Sequence, residues 1–441
     1  MLALLALLAF AVREHYVLSA IIDNPIRGDV REYVAYAWNL VTYGIYGGTM
    51  PPGLPIADDY RAPGYSWLLA LGMQLWPQEP TWSVLGGWYS FMLQLQVMLG
   101  TLTTVLVALL ARHWLSPAFA IVAGLLLGLW PHHVAATNVL LSEVAFGFFL
   151  VAALFAFARA WKTGRISWWA ITGLAFGYAY LVNPLVLFFP PCLAALAWWH
   201  RQRTPAAILL AVFLVPVAGL AIRNATIDGV DRGSAYRATL NFVQGSWPDY
   251  HQAAALYRSG NPMAVAITNE INAETAALRA DLPTGLSRVA ARMRLDPASY
   301  LGWYASKPWL LWGWDIRIGA GGIYFPNVRN SPLDRPPLRL VVVTYRTLNP
   351  VLTTVAVFSS LGLMVLGLRR RDTLPAAATG ALAVYLTLLH VVFQAEPRYA
   401  NAYRGLEAVI VVTALAAGWQ WLRSKRMAAT NSSGAGLLPH D

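Results

Sequence analysis

Cysteine and charge are both scarce in this chain. Cys192 is the only cysteine among 441 residues, so no intramolecular disulfide can brace the loops. Charged residues make up 12% of the chain, and the 21 acidic residues are outnumbered by 32 basic ones. No Walker loop, dinucleotide fingerprint, zinc motif or internal repeat is found. These absences exclude a disulfide-braced secreted domain and argue against the common nucleotide-binding and zinc-binding enzyme classes.

What the chain has instead is a series of long apolar runs. Hydrophobic residues make up 57% of it, and a bilayer core about 30 Å thick needs roughly 20 apolar residues per helix. The charge clusters and Pro/Gly breaks between the runs predict an all-α polytopic membrane protein with about ten transmembrane helices, near residues 1–20, 88–111, 116–136, 140–160, 167–183, 185–199, 205–222, 340–368, 374–394 and 404–422.

Basic residues predict the orientation, because Lys and Arg in short loops stay in the cytoplasm. They fall at every second connection: Arg112, then Arg159, Lys162 and Arg165, then Arg201 and Arg203, then Arg369, Arg370 and Arg371, then Arg423, Lys425 and Arg426. Both termini are therefore predicted to be cytoplasmic. These turns also account for much of the net charge of +11, so nucleic-acid binding is not expected.

The predicted organisation has four parts. They are a transmembrane bundle at 1–222 with a first external loop at 21–87, an extracytoplasmic loop subdomain with amphipathic helices at 223–339, C-terminal transmembrane helices at 340–426 and a disordered cytoplasmic tail at 427–441. The first helix is interpreted as a signal anchor whose Arg13 reaches the outer interface. Because no basic residue precedes its apolar run, we expect the natural chain to begin slightly upstream.

Acidic residues at the outer face are the candidates for chemistry, since a charge at the membrane is costly and usually has a task. Asp29 follows the first helix in GDVREY and is well placed for a general base. The structural alternative is capping of a helix that starts at Val30. Glu143, at the outer end of the fourth span, is the only acidic residue between Glu79 and Asp228. It can orient an acceptor, bind a metal or pair with an arginine.

The first external loop resembles that of a known family. GDVREY, Gly44 and RAPGY at 61–65 are similar to the first loop of the polyprenyl-phosphate-sugar glycosyltransferases of the GT-C type, glycosyltransferase family 39. That family includes protein O-mannosyltransferases and the bacterial aminoarabinose transferase of lipid A. LLSEVAF around Glu143, LVNP at Asn183, IRN at Arg223 and EPRY at 396–399 extend the similarity. The resemblance implies a GT-C type bundle with external catalytic loops.

The resemblance also implies roles for the acidic residues. Asp29 corresponds to the proposed general base and Glu143 to the second acidic position, which makes these two the catalytic candidates. Many relatives carry another acidic residue directly after the first, where this chain has Val30. Glu32 is the nearest substitute. A divalent metal therefore stays an open alternative, and no cofactor is assigned.

Glu32 and the arginines and tyrosines of the same motifs make up the expected substrate-binding set. The fork of Arg61 is suited to bind a phosphodiester, with an interfacial anchor as its structural alternative. Arg223 and Arg398 can neutralise a leaving phosphate, or can pair with Glu396 or Asp228 instead. The full set is Glu32, Tyr33, Arg61, Tyr65, Arg223, Arg398 and Tyr399.

The activity that the resemblance implies is transfer of a sugar from a polyprenyl-monophosphate donor to an acceptor hydroxyl on a glycan, lipid or protein. Asp29 would act in a single, inverting displacement at the periplasmic or outer face of a bacterial plasma membrane, among membrane lipids. Two alternatives stay open. A lipid or solute transporter would use helices broken at Pro184 and Pro190, and an oligosaccharide ligase or polymerase with a polyprenyl-pyrophosphate donor would use Arg288, Arg292 and Arg294.

Overall fold

The computed structural model describes residues 1–50, 53–76, 86–227 and 233–434. Its helices are, in chain order, α1 (Leu2–Ser19), α2 (Asp29–Tyr43), α3 (Pro63–Leu75), α4 (Gly87–Ala111), α5 (Pro117–Gly128), α6 (Pro131–Ala136), α7 (Glu143–Thr163), α8 (Ile166–Val182), α9 (Phe189–Trp199), α10 (Arg203–Ala225), α11 (Ser234–Ser246), α12 (Tyr250–Leu256), α13 (Pro262–Ala280), α14 (Leu282–Leu295), α15 (Pro297–Leu311), α16 (Leu338–Arg369), α17 (Leu374–Val392) and α18 (Arg404–Gly434). Short 3₁₀ segments lie at Pro184–Val186, Tyr257–Ser259, Pro332–Asp334, Arg371–Thr373 and Tyr399–Ala402. Two-residue strands β1 (Ile21–Ile22) and β2 (Val328–Arg329) pair antiparallel.

The apolar runs of the sequence become helices at the predicted positions. Within the described residues, seven helices are long and apolar enough to cross a membrane: α1, α4, α7, α10, α16, α17 and α18. Three shorter apolar helical segments, α5, α8 and Pro184–Trp199, lie between them. Each of these ten segments overlaps one predicted span. The prediction of an all-α bundle of about ten membrane helices is confirmed.

Arg13 does not reach the outer interface as predicted. Its side chain is fully buried, and its Nη1 donates to the carbonyl oxygens of Ala9 at 2.9 Å and Gly128 at 3.0 Å. Its Nη2 lies 2.8 Å from Nδ1 of His133. Because α1 packs against α4 and α5, the side chain has polar partners inside the protein and does not extend along the lipid surface.

The C-terminal end also differs from the prediction of a disordered tail. Helix α18 continues to Gly434, so residues 427–434 are helical. They begin with Met427, Ala428 and Ala429, which favour continuation of a helix. Residues 435–441 of the predicted tail lie outside the described part of the chain.

Helix α7 lies at the centre of the bundle. It packs against α4 and α8, and its Phe146, Leu150, Leu154 and Phe157 are buried. The 3₁₀ segment Tyr399–Ala402 also packs against α7. The end of α7 at which Glu143 begins the helix is thereby held against the turn that leads into α18. The basic connections predict that this is the outer end of the bundle, and it is called the outer end below.

The first external loop folds back onto the outer end of this bundle. Helices α2 and α3 pack on one another, and α3 also contacts α4 and α8. Gly64 in α3 makes this approach close: a Cβ there would lie 2.7 Å from the carbonyl carbon of Leu181 in α8. Tyr178 of α8 donates to the Gly64 carbonyl oxygen at 3.0 Å. The RAPGY segment therefore lies at a helix contact that needs glycine.

A layer of helices follows the span α10. Helix α13 packs against α11, α12 and α14 around a small core of Val243, Ile271, Leu278 and Val289. The stretch from α13 to α15 supplies the amphipathic helices that the sequence predicts, while α11 and α15 contact α17. The layer is thus attached to the outer end of the membrane bundle.

The Gly64 contact predicts a measurable difference between two glycines in helices. Gly64→Ala is expected to destabilise the protein by about 2 kcal/mol, because the added methyl group overpacks a backbone contact. Gly302→Ala in α15, where a Cβ meets open space, is expected to stabilise by up to about 1 kcal/mol. Thermal unfolding of both variants in detergent measures this difference. Equal shifts for the two variants would contradict the close packing of α3 on α8.

Candidate active site

Asp29 is the first residue of α2, at the outer end of the bundle. The residue in the capping position is Gly28, whose φ of +54° lies in the left-handed region, and no side-chain capping bond is formed. Capping by Asp29 of a helix that starts at Val30 is therefore wrong. The carboxylate stands at a helix N-terminus, where negative charge is favoured, and both of its oxygens contact arginines.

Arg61 forms the first of these contacts. Its Nη2 lies 2.8 Å from Oδ1 of Asp29, and its Nε donates to Oε2 of Glu32 at 2.7 Å. The Arg61 side chain is only 4% exposed, compared with 30% for Asp29 and 37% for Glu32. The arginine therefore forms the buried floor of the site, and the two carboxylates form its open side.

Arg398 forms the second contact in the same manner. Its Nη2 lies 2.8 Å from Oδ2 of Asp29, and its Nε lies 3.3 Å from Oε1 of Glu143. Oε2 of Glu143 has no hydrogen-bond partner among the described residues. Asp29, Glu32, Arg61, Glu143 and Arg398 together are called the arginine–carboxylate cluster below. Within this cluster both arginines contact Asp29. Each also contacts a second carboxylate, which is Glu32 for Arg61 and Glu143 for Arg398.

The electrostatics of Asp29 follow from this geometry. Burial raises the pKa of the Asp29 carboxyl, but the charges of Arg398 and Arg61 outweigh that effect and hold it well below its usual range. Burial lowers the pKa of Arg398, and the charges of Asp29 and Glu143 raise it by more. Asp29 is therefore ionised at neutral pH, and in this arrangement it is a weak base.

Tyr33 and Tyr65 support Arg61 from inside the protein. The Arg61 guanidinium carbon lies 4.8 Å from the centroid of the Tyr33 ring. The Tyr33 hydroxyl donates to Oγ of Ser142 at 3.1 Å, and the two tyrosine rings meet edge to face. The Tyr65 hydroxyl donates to Oε1 of Gln96. Both tyrosines are buried and do not form the open surface of the site. Tyr33 contacts the arginine directly, and Tyr65 packs behind Tyr33.

Tyr399 flanks the cluster on the side of Arg398. Its ring stacks on His390, with centroids 5.3 Å apart, and its hydroxyl donates to Oε1 of Gln394. The guanidinium of Arg398 lies 5.3 Å from the centroid of the same ring and 4.3 Å from that of Phe325. Aromatic rings therefore contact this arginine as well.

Arg223 lies apart from the cluster. Its Nη1 donates to the Asp58 carbonyl oxygen at 2.6 Å, and its Nη2 donates to that of Tyr46 at 2.8 Å. It joins the outer end of α10 to the first external loop. Its expected alternative partner, Asp228, lies outside the described residues.

Glu396 does not pair with Arg398, which was the structural alternative for that arginine. Oε1 of Glu396 accepts from the backbone N–H groups of Arg317 and Ile318, and Oε2 lies 3.0 Å from Nε2 of His251. The glutamate is buried and thereby fixes the turn that carries Arg398. The sequence pattern missed this role of His251, since nothing near it in the chain resembles a motif.

An apolar cleft opens beside the cluster. The empty space in it, open solvent included, is about 400 Å³, and Glu143 and Arg398 lie at its wall. The rest of the lining is largely apolar and includes Leu141, Ile323 and Phe325. Charged groups thus stand next to a surface that suits a hydrocarbon chain.

The carboxylates of the cluster do not fit a divalent metal. Among the described residues, no group of three or more His, Cys, Asp or Glu side chains converges on one point. Both oxygens of Asp29 already contact guanidinium groups. The guanidinium groups that hold these oxygens are the part of the cluster that is suited to bind an anion.

Part of this chain is similar in sequence to a known protein family. Residues 60–223 match the family described as Dolichyl-phosphate-mannose-protein mannosyltransferase. This range contains Arg61, Tyr65, Glu143 and Arg223, but it excludes Asp29 and Arg398. No match is found among curated protein sequences.

Solved structures share the fold. The Archaeoglobus fulgidus oligosaccharyltransferase tethered with an acceptor peptide matches with a TM-score of 0.53 and 15% identity, over 96% of this chain and 50% of that chain. The same organism's oligosaccharyltransferase AglB, in complex with an inhibitory peptide and a dolichol-phosphate, matches with 0.50 and 14%, over 100% and 52%. ArnT from Cupriavidus metallidurans bound to undecaprenyl phosphate is less similar, with a TM-score of 0.37 and 14% identity, over 89% of this chain and 76% of that chain.

The similarity to the solved structures covers part of their length and is low in sequence identity. This chain spans about half the length of the archaeal oligosaccharyltransferases, and identities near 15% show likeness of fold alone. Together with the family match over residues 60–223, they confirm the resemblance to the GT-C type glycosyltransferases that the sequence indicates.

The cluster predicts that Arg61 is essential for stability. Arg61→Met leaves Asp29 and Glu32 without their shared partner, and we expect a loss of about 3 kcal/mol in the free energy of unfolding. Arg288→Met is the matched control, because Arg288 pairs with Glu270 at an exposed site and such pairs contribute at most about 1 kcal/mol. Thermal unfolding in detergent compares the two. A shift for Arg61→Met no larger than that of the control would contradict the buried pairing.

Proposed function

We propose that this protein is a membrane glycosyltransferase that moves a sugar from a polyprenyl-monophosphate donor to an acceptor hydroxyl, with Asp29 as the general base. The observation that carries the proposal is one carboxylate, Asp29, held between two arginines at the outer end of a bundle of membrane helices. The family match over residues 60–223 and the shared fold support the same class of enzyme.

The two arginines suit a phosphate that becomes more negative during the reaction. A sugar phosphodiester of a polyprenol carries one negative charge, and the departing phosphate monoester gains a second. Interactions that strengthen as charge develops lower the barrier. Arg61 and Arg398 are therefore the proposed phosphate ligands, and the apolar cleft beside Arg398 suits the isoprenoid chain.

Asp29 needs to be released before it can act. While Arg61 and Arg398 hold both of its oxygens, the pKa of Asp29 stays well below its usual range, and such a carboxylate accepts protons poorly. A donor phosphate competes for the same Nη groups. When the arginines move from Asp29 to the phosphate, the pKa of Asp29 rises, so donor binding activates the base. This step is called arginine exchange below.

Glu32 and Glu143 act as positioning residues in this account. Glu32 contacts both Nε and Nη2 of Arg61, and Glu143 lies at Nε of Arg398. In the proposed exchange these two contacts persist, and each Nη2 gives up only its contact with Asp29. The guanidinium groups therefore keep their place while their partner changes from carboxylate to phosphate. Arg223 serves the site indirectly, by holding the first external loop.

The proposed sugar transfer is a single displacement at the anomeric carbon. Asp29 takes the proton of the acceptor hydroxyl as its oxygen bonds to the anomeric carbon, and the bond from that carbon to the phosphate oxygen breaks. Polyprenyl phosphate leaves from the opposite face, so the configuration inverts. The transition state has oxocarbenium character, as in glycoside hydrolysis, and the nearby carboxylate stabilises its positive charge.

The proposed location follows from topology. The loops and turns that supply the cluster all lie on the side opposite the basic connections, which are cytoplasmic by the positive-inside rule. We assign the protein to a bacterial plasma membrane, with the site facing the periplasm or exterior. Its partners are a lipid-linked sugar and a glycan, lipid or protein acceptor.

The base role predicts the effect of Asp29→Asn. Membranes containing this variant are expected to release label from radiolabelled polyprenyl-phosphate sugars about 10²- to 10⁴-fold more slowly than wild type, because the proton acceptor is lost. Asp23→Asn is the control, since Asp23 pairs with Arg329 at an exposed site on the same face and is expected to leave the rate unchanged.

Three outcomes of this assay separate the candidate functions. Equal release by wild type and Asp29→Asn would remove Asp29 as the base. Release from pyrophosphate-linked donors alone would favour a ligase or polymerase. Absence of release from every donor would favour a transporter.

Arginine exchange predicts a pH effect with a definite sign. The acid limb of kcat/KM reports the free enzyme, in which the arginines lower the pKa of Asp29, and the acid limb of kcat reports the donor complex, in which that pKa has risen. A carboxylate base loses activity as pH falls through its pKa. The acid limb of kcat is therefore expected at higher pH than that of kcat/KM. Coinciding limbs would contradict the exchange.

A further inference from the structure

Helix α11 lies across the outer end of the bundle, and one end of it is attached to the first external loop. The backbone N–H of Ser234 donates to Oδ1 of Asp59 at 3.2 Å, and the Ser234 hydroxyl donates to Oδ2 at 2.6 Å. Asp59 lies two residues before Arg61. The start of α11 is therefore fixed next to the segment that carries one arginine of the cluster.

The other end of α11 is attached to the turn that carries the second arginine. A Cβ at Gly245 would lie 2.4 Å from the carbonyl of Phe393, so the two backbones are in close contact. Trp303 donates to the Gly245 carbonyl oxygen at 2.9 Å. Because Phe393 is followed within five residues by Arg398, α11 bridges the two arginine-bearing segments.

Arg237 lies in the first turn of this bridging helix and faces the cluster. Its guanidinium carbon lies 5.7 Å from the centroid of the Tyr60 ring, and that of Arg61 lies 5.7 Å from the same centroid. One tyrosine ring thus contacts both guanidinium groups. Within the described ranges, Arg237 makes no ion pair with an acidic side chain. It is half-buried, and its charge acts on Asp29 in the same direction as those of Arg398 and Arg61.

We propose that Arg237 is a third arginine that binds the donor phosphate, and that α11 holds it in position beside the cluster. This inference rests on the proposed function. It adds a residue of the extracytoplasmic helices to the side chains that bind the donor phosphate. No motif of the sequence points to this residue.

The charge balance of the cluster supports this role. Counted by formal charge, the three carboxylates of Asp29, Glu32 and Glu143 face only two guanidinium groups, which leaves one negative charge in excess. A phosphate entering the cluster would add another. Arg237 supplies the missing positive charge, and among the described residues it has no ion pair that must first break. Charge-assisted bonds from a guanidinium group to phosphate are strong.

The test measures binding of undecaprenyl phosphate, which carries no sugar, to the full-length protein in detergent. Arg237→Gln is expected to weaken binding by about tenfold or more, the range for loss of a charge-assisted hydrogen bond. Arg237→Lys is expected to bind at an intermediate strength, because it keeps the charge and loses the fork. Arg258→Gln, an exposed residue of the Tyr257–Ser259 segment, is the matched control and is expected to bind like wild type.

The outcomes separate this inference from the proposed function. Wild-type affinity in Arg237→Gln would overturn the inference, even where the enzyme transfers sugar. Equal losses in Arg237→Gln and Arg237→Lys with a lowered melting temperature would also overturn it, since this would indicate a structural role. Weakened binding in Arg237→Gln with partial rescue by Lys would support it, even if wild type transfers sugar from no donor and the proposed function fails.

Discussion

The ion pairs of Asp29 with Arg61 and Arg398 are the contacts on which the rest of the site depends. They join the first external loop to the turn before the last helix, across 369 residues of chain. A guanidinium group as buried as that of Arg61 is stable only when it is paired, because desolvation of an isolated charge costs far more than most single interactions contribute. The packing of α3 on α8 and of α7 on Tyr399–Ala402 holds the partners in register.

In the proposed mechanism, the same pairing keeps Asp29 inactive as a base until the donor binds. A carboxylate held by two guanidinium groups binds protons weakly, so the proposed base does not activate water or acceptor before the donor is bound. In the proposed mechanism the donor phosphate removes that restraint by taking the arginines for itself. Substrate binding and base activation then use the same two side chains, and the charge of Arg237 makes the exchange more favourable.

Much of the fold follows from the sequence, because apolar runs of about 20 residues and the placement of basic residues are local signals. They predict the helices and bring Asp29, Glu143 and Arg398 to one face. The partners of individual charges are not local signals. Arg13 bonds to groups more than a hundred residues away, and Tyr65 lies in a recognisable motif but faces inward. Arg237 lies in an amphipathic helix with no motif, and only the contact of α11 with the first loop brings it to the site.

The most direct test of this account is a cryo-electron microscopy structure of the full-length protein with undecaprenyl phosphate bound. The account predicts that the Nη groups of Arg61 and Arg398 contact phosphate oxygens, that Glu32 and Glu143 keep their contacts at Nε, and that Asp29 is free of both guanidinium groups. A bound phosphate that leaves both arginines on Asp29 would contradict arginine exchange.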